Sequence, residues 1–423
     1  MREGIRSATQ IVTRFLAALG PGIIAGAADD DPSGIATYTV AGAQLGTSLL
    51  WTAWFTWPLM AAVQMMCARI GMVTGRGLAG ALRQKFPKPV LLIACSGLLV
   101  ANTINVASDL SGMADAAEVL TGLSSHVYVV IFGVAISVAI IRFRYYQIAW
   151  VLKWLVVSLF AYVLTAFLMR PDWWQIAHDA FVPSIPSSKD AWETLVAILG
   201  TTISPYLFFW QSAQEVEEEK AMGRRMLIER EGATAKELFD RRMDVGVGTF
   251  LSNVVMFFII VTSAVTLHAH GLTSISSSKE AAEALRPLAG DLAMTLYTIG
   301  IMAVGFLAIP TLTGSAAYAF AETLDWSHGL DEKLKQARAF YAVIIFSMLC
   351  GIALDFLDVN PIKALFLTAV INGLLAPFLL VGILLVARDE KIMLRQASSS
   401  LSQVAVAITA LLIFTSAIGM FVV

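Results

Sequence analysis

Eleven stretches of mostly apolar residues, with no room between them for a water-soluble domain, constrain this chain more than any other feature. About 20 such residues form a helix long enough to cross a bilayer. The stretches fall at 20–45, 48–71, 89–110, 126–142, 147–169, 191–215, 244–267, 288–321, 338–355, 361–387 and 402–423. The longest polar stretch, 216–243, is too short for a core of its own. Composition agrees. The chain of 423 residues is 57% hydrophobic and 14% charged, whereas soluble domains run at roughly 45–50% and about 25%. Lipid is therefore the expected solvent, and a soluble enzyme, a nucleic-acid binder and a disordered chain are excluded. The net charge of −2 gives no field to recruit a polyanion. Cys67, Cys95 and Cys350 are far apart in apolar runs, which reads as buried thiols and no disulfide framework. Arg2, Arg6 and Arg14 ahead of an apolar run ending in Ala25-Gly26-Ala27 imitate a signal peptide, but the expectation is an uncleaved first span.

Lys and Arg set the orientation. With a cytoplasmic N-terminus and strict alternation, 23 of the 29 basic residues fall in cytoplasmic segments. Arg170, Lys189, Lys279, Arg286 and Lys363 fall outside, and Lys153 lies within span five. One miscounted span would scramble this pattern. The reading is a multi-pass protein of a bacterial plasma membrane, with the bilayer as its surroundings, no nucleic acid and no obligate protein partner.

Two spans cannot be continuous helices. Span one carries Asp29-Asp30-Asp31-Pro32-Ser33-Gly34 at its centre. Each central carboxylate costs about 2.5–3.5 kcal/mol to insert, and Pro32 removes a backbone donor. Span six carries Gly200-Thr201-Thr202-Ile203-Ser204-Pro205-Tyr206. A proline kink alone is common, but breaks in corresponding spans of two halves point to an inverted-repeat transporter with its site between the broken helices. The expected architecture is all-α: repeat one at about 18–170, repeat two at about 190–388, and an extra span at about 400–423. The charge near the first break is negative, and Thr201, Thr202 and Ser204 add oxygens at the second. No His, Cys or Met lies at either break, so the site suits hard divalent ions such as Mg²⁺, Ca²⁺ or Mn²⁺. No nucleophile–base pair or HExxH motif points to an enzyme, and no cofactor is expected beyond a transported cation.

Gly20-Pro21-Gly22, then Asp31-Pro32-Ser33-Gly34, then the run from Ile35 through Ala41-Gly42-Ala43 to Gly46 resembles the first span of the natural resistance-associated macrophage protein family of divalent metal transporters. The likeness continues at Gln64, Ala68, Arg69, Gly71, Thr74, Gly75, Asp109, Gly200 to Pro205, Asn253 and Gly305 to Gly314. It implies a LeuT-like fold of five plus five spans, alternating access, and a metal site at Asp31, Ser33, Gly34, Thr201 and Ser204. Asp29, Asp30, Thr202, Asp109, Tyr206 and Gln211 are candidates for the surroundings of that site or for the pathway. The departures are as informative. The family's asparagine falls on Gly34, its span-six methionine on Ser204, the preceding alanine on Thr201, two histidines on Tyr206 and Gln211, and a third-span glutamate on Gly112. This pattern resembles the magnesium-transporting branch. It implies Mg²⁺ as cargo, Mn²⁺ as a surrogate and no proton coupling. The alternatives are a proton-coupled Mn²⁺/Fe²⁺ importer and an organic-cation transporter on the same fold.

Overall fold

The computed structural model describes residues 26, 28–143, 159–184, 188–357 and 360–422. Arg2, Arg6, Arg14, Gly20-Pro21-Gly22, Arg144, Lys153 and most of span five lie outside them. The described residues contain helices and no strand. Twelve helices carry the description: α1 (Pro32–Leu45), α2 (Thr52–Thr74), α3 (Lys88–Thr121), α4 (Ser125–Arg142), α5 (Phe160–Leu168), α6 (Lys189–Thr202), α7 (Pro205–Ala221), α8 (Ala235–Thr266), α9 (Ala293–Leu324), α10 (Arg338–Asp355), α11 (Pro361–Ala387) and α12 (Ser400–Val422). Seven continuous helices among the described residues are long and apolar enough to cross a membrane, and they correspond to spans three, four and seven to eleven. Span two is α2, a helix of 23 residues containing Pro58 and the polar Gln64. Spans one and six are interrupted, and α5 is the described end of span five.

The two interruptions are built alike. Asp31 caps α1 and Pro32 takes its first position. Ser204 precedes α7 and Pro205 takes its first position. Proline is suited to that place, because its missing N–H would be unsatisfied there anyway. The same missing donor ends the preceding half-helix. Residues 28 and 29 are helical before the chain bends at Asp30, and α6 stops at Thr202.

Hydrogen bonds between loops sort the connections into two ends. At one end Lys85 meets Asp389, the Gly80 amide donates to Glu322, Arg69 donates to the Gln396 carbonyl, and Arg230 donates to the Gly75 carbonyl. At the other end Thr47 meets Asp179, Ser184 donates to the Ser48 carbonyl, the Ser278 amide donates to Asp115, and Asn360 donates to the Ser276 carbonyl. The first set holds the loops expected to be cytoplasmic and rich in Lys and Arg. Among the described loops, these contacts join only connections that the charge count places on the same side.

The break in span six is held against span ten. A Cβ added at Gly200 would lie 2.0 Å from the Ala369 carbonyl oxygen and 2.3 Å from the Gly373 nitrogen. Backbone meets backbone there, and neither side can yield by a rotamer change. The Gly200→Ala variant is expected to lose about 1–3 kcal/mol by overpacking. Thermal unfolding of the detergent-solubilised protein should show this as a midpoint several degrees lower; an unchanged midpoint would refute the packing argument.

Candidate functional site

The site begins with backbone that has lost its helical partners. Asp31 accepts two hydrogen bonds on Oδ1, from the Gly34 amide at 2.7 Å and the Ser33 hydroxyl at 2.6 Å. Its other oxygen, Oδ2, faces the Asn105 side-chain nitrogen at 3.3 Å and the Tyr206 hydroxyl at 3.5 Å. Asp31 therefore caps α1 with one oxygen and turns the other into the protein. Its position at a helix N-terminus favours the negative charge.

The two breaks meet at Gly34. A Cβ built there would touch Thr201 Oγ1 at 3.3 Å, the Asp29 carbonyl oxygen at 3.4 Å and Asp31 Oδ1 at 3.5 Å. Three oxygens from two spans thus surround the space that a side chain at position 34 would fill. Thr201 Oγ1 is buried with no hydrogen-bond partner. Tyr206 ties the breaks together from the other side, donating to the Ala28 carbonyl at 2.9 Å. That carbonyl belongs to the end of the first half-helix, where oxygens lack intrahelical donors.

Asp29 and Asp30 face α8. The Ser252 hydroxyl lies 2.8 Å from Asp29 Oδ2 and 3.1 Å from Asp30 Oδ1. One proton cannot satisfy both oxygens at once. Asp29 Oδ1 has no hydrogen-bond partner, and Asp109 lies beside Asp31 and the Ser33 backbone amide. No Lys, Arg or His forms an ion pair with Asp29, Asp30, Asp31 or Asp109 among the described residues. All four are at most 2% exposed. A buried carboxylate is costly unless it holds a proton or meets a positive partner. No three His, Cys, Asp or Glu side chains converge into a closed metal cage among the described residues.

The remaining candidates separate. Ser33, Gly34 and Thr201 gather at Asp31. Ser204 lies at the second break, but its hydroxyl donates to the Gly200 and Thr201 carbonyls at 2.8 and 2.6 Å, so it closes the end of α6. Thr202 bonds back to the Ile198 carbonyl and meets the Tyr38 hydroxyl at 3.2 Å, to one side of Asp31. Gln211 is two turns further along α7 and donates to Glu215 at 2.7 Å. It belongs to a different network, in which Arg241 reaches Glu215 at 2.8 Å, Asp244 at 2.6 Å, and Glu218. The acidic run after Gln211 is therefore salt-bridged, with Arg241 as its main partner. His126 pairs with Asp355 at 2.8 Å, and His268 and His270 contact backbone carbonyls, so none of the three approaches the breaks.

Sequence reasoning missed Asn105, Ser252 and the tie made by Tyr206. The first two lie on unbroken helices, where a polar residue gives no sign of which way it faces. The break residues Asp29 to Gly34 and Thr201 to Tyr206 are buried. A cavity of about 640 Å³ lies at the basic end, bordered by Arg76, Lys220, Arg230 and Glu322, and none of the break residues lines it.

The sequence of residues 22–423 matches the profile of the family described as natural resistance-associated macrophage protein-like. The chain belongs to this family. Its similar relatives include the divalent metal cation transporter MntH of Yersinia pestis (strain Pestoides F), 27% identical over 310 residues that make up 71% of each chain. The MntH of Caldanaerobacter subterraneus subsp. tengcongensis is 25% identical over 406 residues, 92% of this chain and 89% of that one. Among solved structures, the manganese transporter of Eremococcus coleocola superposes with a TM-score of 0.74 at 20% identity, covering 97% of this chain and 88% of the other. The nucleobase-cation-symport-1 transporter Mhp1 gives 0.59 at 15% identity, covering 95% and 92%. The fold is LeuT-like, as the family resemblance implied, and the family consists of membrane transporters rather than enzymes.

Within this fold, Tyr206 holds together the two broken helices that flank the site. Removing its hydroxyl leaves the Ala28 carbonyl without its donor, at a cost of about 1–2 kcal/mol. Tyr206→Phe should lower the unfolding midpoint by a few degrees while the ring keeps its packing. An equal midpoint would mean that water or another donor replaces the tie.

Proposed function

We propose that this family member carries divalent metal cations across a bacterial plasma membrane by alternating access, with Mg²⁺ as its main cargo, Mn²⁺ also carried and no proton coupled to the flux. The observation that carries the reading is the set of four carboxyl groups, buried where two broken helices meet α3, that have no basic partner among the described residues. A cation supplies the missing charge, and the half-helix carbonyls supply further oxygens. The relatives named as divalent metal cation transporters support the cation class.

The choice of ion rests on ligand chemistry. Asp31, Ser33, Thr201, Ser204 and the carbonyl of Gly34 are all hard oxygens, and position 204 has no thioether to favour a softer transition metal. Gly34 adds no side-chain ligand of its own, which suits an ion that gives up its waters reluctantly. Proton coupling is set aside because Tyr206, Gln211 and Gly112 stand where the family's proton-route groups are expected. Tyr206 is used to tie the breaks and Gln211 to bind Glu215. The basic end faces the cytoplasm by the Lys and Arg count, which also places the N-terminus inside.

The test is uptake into proteoliposomes loaded with ion- and pH-sensitive dyes. Native protein should give saturable Mg²⁺ uptake without acidification, with Mn²⁺ competing, and Asp31→Ala should abolish both fluxes. Mn²⁺ uptake with matched acidification and no Mg²⁺ uptake would instead establish the proton-coupled importer. Failure of both ions, in a folded preparation, would shift the cargo to an organic cation.

A second experiment addresses selectivity. The contacts of 3.3–3.5 Å around a Cβ at position 34 allow a side chain with small adjustments. Gly34→Asn combined with Ser204→Met should move the preference from Mg²⁺ toward Mn²⁺ by about ten-fold or more, since one added thioether and one added amide each change ligand type. Competition by Mg²⁺ against Mn²⁺ uptake measures the ratio, and an unchanged ratio would detach selectivity from these positions.

A further inference from the structure

We infer that Asn105, on the unbroken helix α3, is a ligand of the transported ion and takes the place of the amide missing at position 34. The inference rests on the divalent-cation reading above and extends it to a third helix. Asn105 is fully buried. Its amide nitrogen is 3.3 Å from Asp31 Oδ2, the carboxylate oxygen that is not used to cap α1. Its amide oxygen is buried and has no hydrogen-bond partner. A fully buried side-chain acceptor without a donor is rare in a folded protein and needs an explanation.

A cation supplies one. Without an ion, the amide turns its NH₂ toward the negative Asp31 oxygen and leaves its own oxygen idle. When a divalent ion sits on Asp31 Oδ2, the electrostatic preference reverses. The carboxylate charge is then taken up, and the carbonyl dipole gains by pointing at the ion or at one of its waters. The change requires only rotation about the terminal bond, a broad and roughly two-fold torsion. Amide oxygens are hard, neutral ligands, which suit Mg²⁺ and Mn²⁺.

The placement on α3 adds a second reason. Asp109 is one helical turn further on and therefore on the same face of α3. Its carboxyl group is also buried, and it lies beside Asp31 and the Ser33 backbone amide. One face of α3 thus turns three side-chain oxygens toward the first break, and that of Asn105 has no donor. The side chain that would otherwise reach the ion from within the broken span is absent, because position 34 is glycine. Asn105 brings the same functional group from the neighbouring helix, and α3 becomes a wall of the site.

The test separates an amide that ligates from one that merely holds Asp31 in place. Asn105→Asp keeps an oxygen at the same point and removes the donor. Asn105→Leu removes both at nearly constant volume. Binding of Mg²⁺ and of Mn²⁺ to the full-length protein in detergent is measured by titration calorimetry, with the ion-induced rise in unfolding temperature as a second readout. The ligand role predicts that Asn105→Leu weakens binding by about ten-fold or more, while Asn105→Asp binds at least as tightly as native protein. If Asn105→Asp is as weak as Asn105→Leu, the amide acts as a donor to Asp31 and the inference is overturned. If Asn105→Leu does not fold, the Asp variant alone decides. Native protein that binds neither ion would overturn the divalent-cation reading itself, an outcome distinct from the failure of the Asp variant.

Discussion

Buried carboxyl groups without a basic partner among the described residues are the constraint on which the rest of this structure depends. Asp29, Asp30, Asp31 and Asp109 sit within an apolar bundle and are at most 2% exposed. Hydrocarbon does not tolerate them, so the backbone around them has to open and offer polar groups. Pro32 and Pro205 open it, by denying a donor to each preceding half-helix. The freed groups are then partly reassigned: Asp31 caps α1, Tyr206 covers the Ala28 carbonyl, and Ser204 covers the end of α6. What is left over is a set of oxygens with no protein donor, and that remainder is what an ion can use.

The same logic separates the site from the ends of the molecule. Along α7, Tyr206 and Gln211 run from the break toward the network in which Arg241 joins Glu215, Glu218 and Asp244. In that network every carboxylate has its cation, and at the breaks none has one among the described residues. Charge pairing therefore separates the polar groups that join α7 to α8 from those gathered at the breaks. Arg241 is only 10% exposed, so removing it would leave several carboxylates unpaired rather than one weak surface contact.

Much of this was legible in the residues. Asp29 to Gly34 and Gly200 to Tyr206 announce their breaks, because no continuous lipid-facing helix accommodates three carboxylates or an unsupported proline. The positive loops order the spans, and hydrogen bonds such as Lys85 to Asp389 agree with that order. Less legible was the division of labour within each motif. Thr201 and Thr202 are neighbours in the sequence, yet one touches the space at Gly34 while the other turns to Tyr38. Ser204 reads as a candidate ligand, and its hydroxyl also donates to carbonyls at the end of α6. A helix rotates by about 100° per residue, so adjacent polar residues separate to different partners once a helix is docked.

The sequence by itself determined the solvent, the all-helical class and the two points where helices must break. Each follows from local composition: apolar length, central charge and the missing donor of proline. Tertiary structure alone decided that the breaks face each other across Gly34, that Asn105 and Ser252 arrive from unbroken helices, and that Gln211 bonds to Glu215. Those facts depend on how helices rotate and approach. Close packing sets that geometry, as at the backbone contact between Gly200 and Gly373, and close packing is a property of pairs of distant segments that no single stretch of residues contains.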